Sequence, residues 1–127
     1  MLRRIEDAEI RGVAESALER TRWSLDLDND GLCHGELGNV ETLLVASEAL
    51  SLNRTLSSLV TERAKLIVHN IATRGWRSAR PGHVEVPGLM TGLAGIGFEL
   101  LRLADASRTP SVLLLQAPKS QPHSVEL

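Results

Sequence analysis

The chain is poor in aromatic residues and in cysteine. It has no tyrosine, and its aromatic side chains are Trp23, Trp76 and Phe98. Few side chains are therefore available to stack on bases or sugars. The single cysteine, Cys33, cannot form an internal disulfide, which favours a reducing compartment, and we expect the cytoplasm.

An excess of charge and a long apolar run are also missing. The net charge is -2, so we expect neither nucleic acid nor an anionic membrane as a partner. No apolar run approaches the roughly 20 residues of a membrane-spanning helix. Near the N-terminus, where a signal peptide would be apolar, the chain reads RRIEDAEIR. A length of 127 residues predicts one domain.

The chain does have apolar residues at helical spacing, mostly Leu and Ala. This spacing predicts four helices, at about 2–22, 35–50, 54–74 and 91–104. The first should bury one stripe, which includes Ile5, Ile10, Val13 and Leu18. The fourth, GLAGIGFELLRLA, is apolar almost all round and should be buried on every side.

Candidate capping residues and helix-breaking residues predict where these helices begin and end. Asn53 or Thr55 is a candidate N-cap for the third helix, whose apolar stripe runs from Leu56 to Ile71, and Gly75 should end it. After Pro110, SVLLL predicts a short apolar element. Residues 118–127 are expected to form a flexible tail, which leaves 1–117 as the folded part.

Two glycine-led segments resemble each other. Residues 31–44, GLCHGELGNVETLL, align without gaps with residues 88–101, GLMTGLAGIGFELL. The glycines at 31, 35 and 38 match those at 88, 92 and 95, and the two final leucines also match. Because one copy has Cys33-His34 where the other has Met90-Thr91, the scaffold itself does not require Cys-His at this turn. The repeat suggests repeated helical hairpins, and the difference at Cys33-His34 is the strongest local indication of function.

A calcium loop is a first interpretation of DLDNDGLCHGEL. Asp26, Asp28, Asp30 and Gly31 fit positions 1, 3, 5 and 6 of such a loop. Position 12, which needs a bidentate glutamate, is Leu37, so the coordination shell does not close. We therefore expect a solvated turn at these aspartates.

Zinc is the second interpretation, because it suits thiolate and imidazole together. Adjacent residues can both reach one ion if they lie in the turn before a helix, and Gly31 and Gly35 bracket such a turn. The alternative is a buried free cysteine beside a capping histidine. A catalytic zinc usually takes three protein ligands, and Cys33 and His34 supply two.

Other local patterns do not indicate a site. His69 lies on the flank of the third helix, His83 in a loop and His123 in the tail. GLAGIG has the glycine spacing of a nucleotide loop, but no strand precedes it and no Lys-Ser/Thr follows it.

GLCHGELGNVETLL, VPGLMTGLAGIGFELLRLAD and TPSVLLL together resemble the C-terminal end of lanthionine synthetase C-like cyclase domains. The second segment is most similar to bifunctional (type 2) lanthipeptide synthetases, in which the cyclase follows a dehydratase domain. The resemblance implies an all-α fold, a double ring of inner and outer helices known as an (α/α) toroid. Residues 1–117 would be an incomplete, C-terminal part of that ring.

The resemblance also implies the chemistry. Cys33 and His34 match the family's adjacent zinc ligands, while its third ligand and its acid/base residues belong to earlier turns with no counterpart in this chain. We therefore expect no catalytic acid or base here and no cofactor other than Zn²⁺. The family adds cysteine thiols of a lanthipeptide precursor peptide to dehydroalanine or dehydrobutyrine, which forms thioether rings in lantibiotic biosynthesis.

Three functions follow for this chain. The leading one is a zinc-dependent lanthionine cyclase fragment, inactive alone, whose partners are the precursor peptide and the missing N-terminal part of the synthetase. The second is a non-catalytic helical module or remnant that docks onto a partner chain. The third, a hydrolase with Cys33 as nucleophile, is disfavoured because the adjacent His34 is poorly placed as its base.

Overall fold

Four α-helices form the framework of the part of the chain that the structure describes: α1 Ala8–Trp23, α2 Glu36–Ala49, α3 Arg54–Arg74 and α4 Leu93–Ala104. The computed structural model describes residues 7–24, 27–49 and 54–118. A short 3-10 turn at Pro81–His83 is the other helical element of these ranges, and they contain no strand. The predicted all-α class is therefore confirmed. None of the described helices is long and apolar enough to cross a membrane.

Helix α2 is the centre of the packing and contacts α1, α3 and α4. Its residues Leu37, Val40 and Leu43 are fully buried, as their spacing of three predicts for one helix face. The remaining core comes from one further α2 residue, from α3 and from α4. These residues are Ala46, Leu56, Val60, Ile67 and Ile96.

Helix α1 departs from its prediction. Asp7 caps it by accepting hydrogen bonds from the backbone of Glu9 and Ile10, but the helix contains no buried residue. Ile10 and Val13 are 55% and 66% exposed, and Leu18 is only partly buried against the core. The predicted buried stripe is wrong because no described element covers Ile10 and Val13; Ile5 lies outside the described residues.

A buried arginine holds the end of α1 in place. Arg63 of α3 donates from Nη1 to the Ser24 carbonyl (2.6 Å) and from Nη2 to the Arg22 carbonyl (2.5 Å). Its side chain is 4% exposed and lies 3.8 Å from the Glu36 carboxylate. Burial lowers the pKa of Arg63, and the charge of Glu36 opposes that shift. The carbonyls of Arg22 and Ser24 at the end of α1 are thus satisfied by a side chain.

Helix α3 ends as predicted. Gly75 follows it with φ of 79°, a conformation that glycine adopts without strain. Val68 was predicted in the apolar stripe but is 51% exposed. The candidate cap Asn53 lies outside the described residues, as do residues 119–127 of the predicted tail.

Helix α4 is not buried on every side, so that prediction is wrong. Leu101 is 65% exposed, whereas the polar residues Glu99 and Arg102 are each 1% exposed. The apolar residues after Pro110 form a turn over 112–115, and Leu115 is 88% exposed. The side of α4 that faces α2 is selected by ion pairing as well as by apolar packing.

Candidate metal centre

The turn that leads into α2 presents Cys33 and His34. The Gly35 N–H donates to the Gly31 carbonyl (3.0 Å), and the Glu36 N–H donates to the Asn29 carbonyl (2.9 Å). Both candidate ligand side chains are exposed. The interpretation of Cys33 as a buried core cysteine is therefore wrong, and its thiol lies where a ligand from solvent or from another chain can reach it.

The chain enters α4 through an equivalent turn. The Gly92 N–H donates to the Gly88 carbonyl (3.1 Å), and the Leu93 N–H donates to the Val86 carbonyl (2.9 Å). Each of these bonds has its counterpart at the aligned position of the first turn. The repeat seen in the sequence is therefore also a repeat in hydrogen bonding.

Glycine is required where each helix packs on its own turn. A Cβ atom on Gly38 would overlap the Leu32 carbonyl, and one on Gly95 would overlap the Leu89 carbonyl. Gly38 and Gly95 are aligned positions of the repeat, and so are Leu32 and Leu89. The shared glycines thus fold each turn back tightly against the helix that follows it.

The two turns are joined to each other. The Cys33 N–H donates to the Met90 carbonyl, with the nitrogen and oxygen 2.8 Å apart. The Ala79 N–H in turn donates to the Thr91 carbonyl (2.9 Å). The second turn, which lacks Cys-His, therefore fixes the backbone of the residue that carries the candidate thiolate ligand.

Asp30, just before the first turn, is a structural residue. It is 2% exposed and accepts hydrogen bonds from the Arg77 N–H (2.7 Å) and guanidinium (3.3 Å). The prediction of a solvated turn is wrong for Asp30 and right for Asp28, which is exposed, while Asp26 lies outside the described residues. A carboxylate already bound by an arginine is a poor calcium ligand, which agrees with the rejection of a calcium loop.

Neither His69 nor His83 is grouped with Cys33 and His34 as a metal-binding set. His83 has Nδ1 3.1 Å from the Ser78 carbonyl and Nε2 3.7 Å from an Asp28 carboxylate oxygen. His69 is exposed on α3, and His123 lies outside the described residues. Within residues 7–24, 27–49 and 54–118, no three His, Cys, Asp or Glu side chains are grouped to hold a metal ion.

Cys33 and His34 nevertheless fit zinc as a partial ligand set. A thiolate and an imidazole are donors that zinc prefers, and both stand exposed on a backbone that two glycine turns hold. They can provide two of the three protein ligands that a catalytic zinc usually takes.

The described residues form an all-helical fold with two matching glycine turns, one of which carries a candidate zinc-binding pair. A family model described as lanthionine synthetase C-like protein matches residues 2–114, so the chain belongs to that family. Comparisons with curated proteins and with solved structures found no significant match.

A cluster of buried polar side chains was not predicted from the sequence; it is formed by Glu41 of α2 with Glu99 and Arg102 of α4. All three are at most 2% exposed. The available signal was the pair of charges three residues apart inside the apolar run GLAGIGFELLRLA. Charges at that spacing share a helix face, and on a buried helix they require a partner.

Proposed function

We propose that the chain is a portion of a zinc-dependent lanthionine cyclase, which forms thioethers between peptide cysteines and dehydroalanine or dehydrobutyrine. The observation that carries this proposal is the exposed Cys33-His34 pair in a glycine turn of a lanthionine synthetase C-like chain. The long segment PGLMTGLAGIGFELLRLA supports the type 2 bifunctional synthetases as the subtype. The substrate would be a dehydrated lanthipeptide precursor.

In this proposal Cys33 and His34 would hold the metal ion. Bound zinc would lower the pKa of a coordinated peptide thiol, so that a thiolate exists near neutral pH. The chain's other residues position this pair. The Met90 carbonyl fixes the Cys33 backbone, and the Asp30–Arg77 pair anchors the start of the turn.

The third ligand and the acid/base residues would come from other parts of the synthetase. The exposed apolar side chains support a larger assembly, because α1 exposes Ile10 and Val13 and α4 exposes Leu101. Completing a ring of helices would cover such faces. The chain by itself should then bind zinc weakly and should not cyclise a dehydrated precursor above the uncatalysed rate.

Zinc affinity tests the ligand assignment. We would titrate zinc into the full chain in competition with a chromophoric chelator, and compare Cys33→Ala and His34→Ala with the matched control His69→Ala. Weak binding should be lost in the two turn variants and kept in the control, because His69 lies on α3. Tight stoichiometric binding that survives the loss of Cys33 would contradict the assignment.

Cyclisation is measured separately, by thiol alkylation and mass spectrometry of a dehydrated precursor peptide. The expected result is no thioether above background, since in this proposal the third zinc ligand and the acid/base residues come from other parts of the synthetase. Formation of rings by this chain alone would show that the missing groups are not needed.

A non-catalytic docking module is the second candidate. Exposed apolar residues on three helices favour it, including Val13 of α1, Leu66 and Val68 of α3, and Leu101 of α4. Such surfaces commonly mediate association. Size-exclusion chromatography with light scattering should detect oligomers, or a complex with an added N-terminal synthetase portion. A cooperatively folded monomer that binds no such partner would contradict both docking and assembly.

A further inference from the structure

Helices α2 and α4 and the segment after α4 meet at a cluster of buried polar side chains. Glu41, Glu99, Arg102 and Ser111 are each at most 2% exposed. The cluster contains two carboxyl groups and one guanidinium. Its charges are therefore matched only if one carboxyl is neutral or if another cation enters.

The guanidinium of Arg102 is fully engaged by other groups. Its Nε donates to Glu41 Oε2 (2.7 Å), and its Nη1 donates to the Thr109 carbonyl (2.7 Å). Its Nη2 lies 3.4 Å from a carboxylate oxygen of Glu48, which is 44% exposed. Glu41 is thus the charged partner of Arg102, and Ser111 donates its hydroxyl proton to the other Glu41 oxygen.

Glu99 has no comparable partner among the described residues. Its Oε1 atom is buried without a hydrogen bond, and its carboxyl contacts that of Glu41. An ionised carboxylate with an unpaired buried oxygen beside a second carboxylate is strongly disfavoured. Burial, and next the charge of Glu41, raise the pKa of Glu99 to about 8, while Arg102 opposes that shift. At neutral pH the Glu99 carboxyl is therefore protonated.

The same side chains hold the segment that follows α4. Arg102 binds the carbonyls of Thr109 and Ala106, and Glu41 binds Ser111. Beyond Ser111 the segment places Leu113 and Leu114 in the wall of an apolar groove of about 360 Å³, which α1 and α2 also line. Loss of the polar anchors would release these leucines from the helices.

We propose that the buried, protonated carboxyl of Glu99, with its unpaired Oε1 beside the Glu41–Arg102 pair, acts as a latch, which keeps residues 106–116 closed on α2 and α4 and releases them under mildly alkaline conditions. The charged groups that meet Glu99 are Glu41 from α2, with Glu48 beyond it, and Arg102 from α4. The segment contributes the Ser111 hydroxyl and backbone carbonyls. Ionised Glu99 would compete with Glu41 for Arg102 and would draw water into the cluster.

The direction of the pH dependence follows from proton binding. The closed state keeps the Glu99 proton up to a pKa of about 8, while a solvated glutamate loses it near 4.5. Between these values the closed state binds more protons than an open state in which water reaches Glu99, so closure weakens as the pH rises, by up to tenfold in its equilibrium constant per pH unit. Above about pH 8 the change should level off.

Hydrogen exchange in the full chain measures the opening. The Leu114 amide donates to the Ser111 hydroxyl and the Gln116 amide to the Ser111 carbonyl, and that hydroxyl also donates to Glu41, so both amides should lose protection when Ser111 leaves the cluster. Protection is corrected for the intrinsic exchange rate at each pH. In the wild type it should fall by up to tenfold for each pH unit until the pH reaches about 8. In Glu99→Gln, which keeps the shape and cannot ionise, protection should not depend on pH.

Glu48→Gln is the matched control, because it alters an exposed partner of the same arginine and should keep the wild-type slope. Carbon-13 NMR titration of the Glu99 carboxyl in the wild-type chain gives a second measurement that needs no variant. Ionisation of Glu99 near 4.5 would overturn the proposal, as would a wild-type slope that persists in Glu99→Gln.

Discussion

Alanine at Gly95 and alanine at Gly97, two positions in the same helix α4, should change stability in opposite directions. Each substitution adds one methyl group and the same gain in helix propensity, about 0.5–1 kcal/mol. At Gly97 the new Cβ meets no atom within 4 Å outside its own helix, so the gain is realised. At Gly95 the new Cβ overlaps the Leu89 carbonyl.

The cost at Gly95 follows from the rigidity of what it meets. The Leu89 carbonyl is backbone, in a turn closed by the Gly92–Gly88 hydrogen bond of 3.1 Å, so it cannot move aside as a side chain would. Overpacking typically costs about 1–3 kcal/mol, and a backbone clash falls at the upper end. After the gain in propensity, the net loss for Gly95→Ala is about 2 kcal/mol, so the two variants differ by about 3 kcal/mol.

Urea unfolding of the full chain, followed by circular dichroism at the helical band, measures both variants against the wild type. Gly38→Ala extends the test to the first turn, where the added Cβ overlaps the Leu32 carbonyl and should also weaken zinc binding at Cys33. Equal stability of the Gly95→Ala and Gly97→Ala proteins would refute the close-approach argument.

Two further substitutions test the buried ion pairs. Asp30→Ala removes two hydrogen bonds to Arg77, one of them charged, and should lower the free energy of unfolding by about 2–4 kcal/mol. Added calcium should not raise the midpoint temperature of thermal unfolding of this variant or of the wild type. A calcium-dependent rise would support the calcium-loop interpretation. Arg63→Met should cost about 3–5 kcal/mol, because it leaves Glu36 without its buried partner. Amide exchange should then accelerate in α1 more than in α3, and unchanged protection of α1 would contradict the role of Arg63.

Much of the helical framework is local information and was predictable. The apolar spacing of α3 gave its observed limits, Arg54–Arg74, and Gly75 ends it with positive φ. Helix α2, Glu36–Ala49, lies within the predicted 35–50, and its buried residues Leu37, Val40 and Leu43 follow a helical spacing of three. Periodicity and chain breaks act over a few residues, so one sequence suffices to recognise them.

The partners of polar residues were not predictable in the same way. Asp30 looked like part of a solvated acidic turn, yet the backbone and guanidinium of Arg77 bury it. Glu41 and Arg102 are far apart in the sequence and meet at 2.7 Å. A charge pattern shows that a residue needs a partner when buried, but only the packing of the helices decides which one it obtains.

For the candidate site, too, local features were predictable from the sequence, whereas contacts between distant residues were not. The sequence by itself determined the two aligned glycine turns and the presence of Cys33-His34 where the second copy has Met90-Thr91. Glycine spacing and ligand types can be read directly from the sequence. Only the tertiary structure decided that the turns bond to each other through the Cys33 N–H and the Met90 carbonyl, and that the thiol is exposed. It also decided that α1 keeps Ile10 and Val13 exposed. Whether an apolar stripe is buried depends on a neighbouring element, and an amphipathic helix carries no information about which neighbour is present.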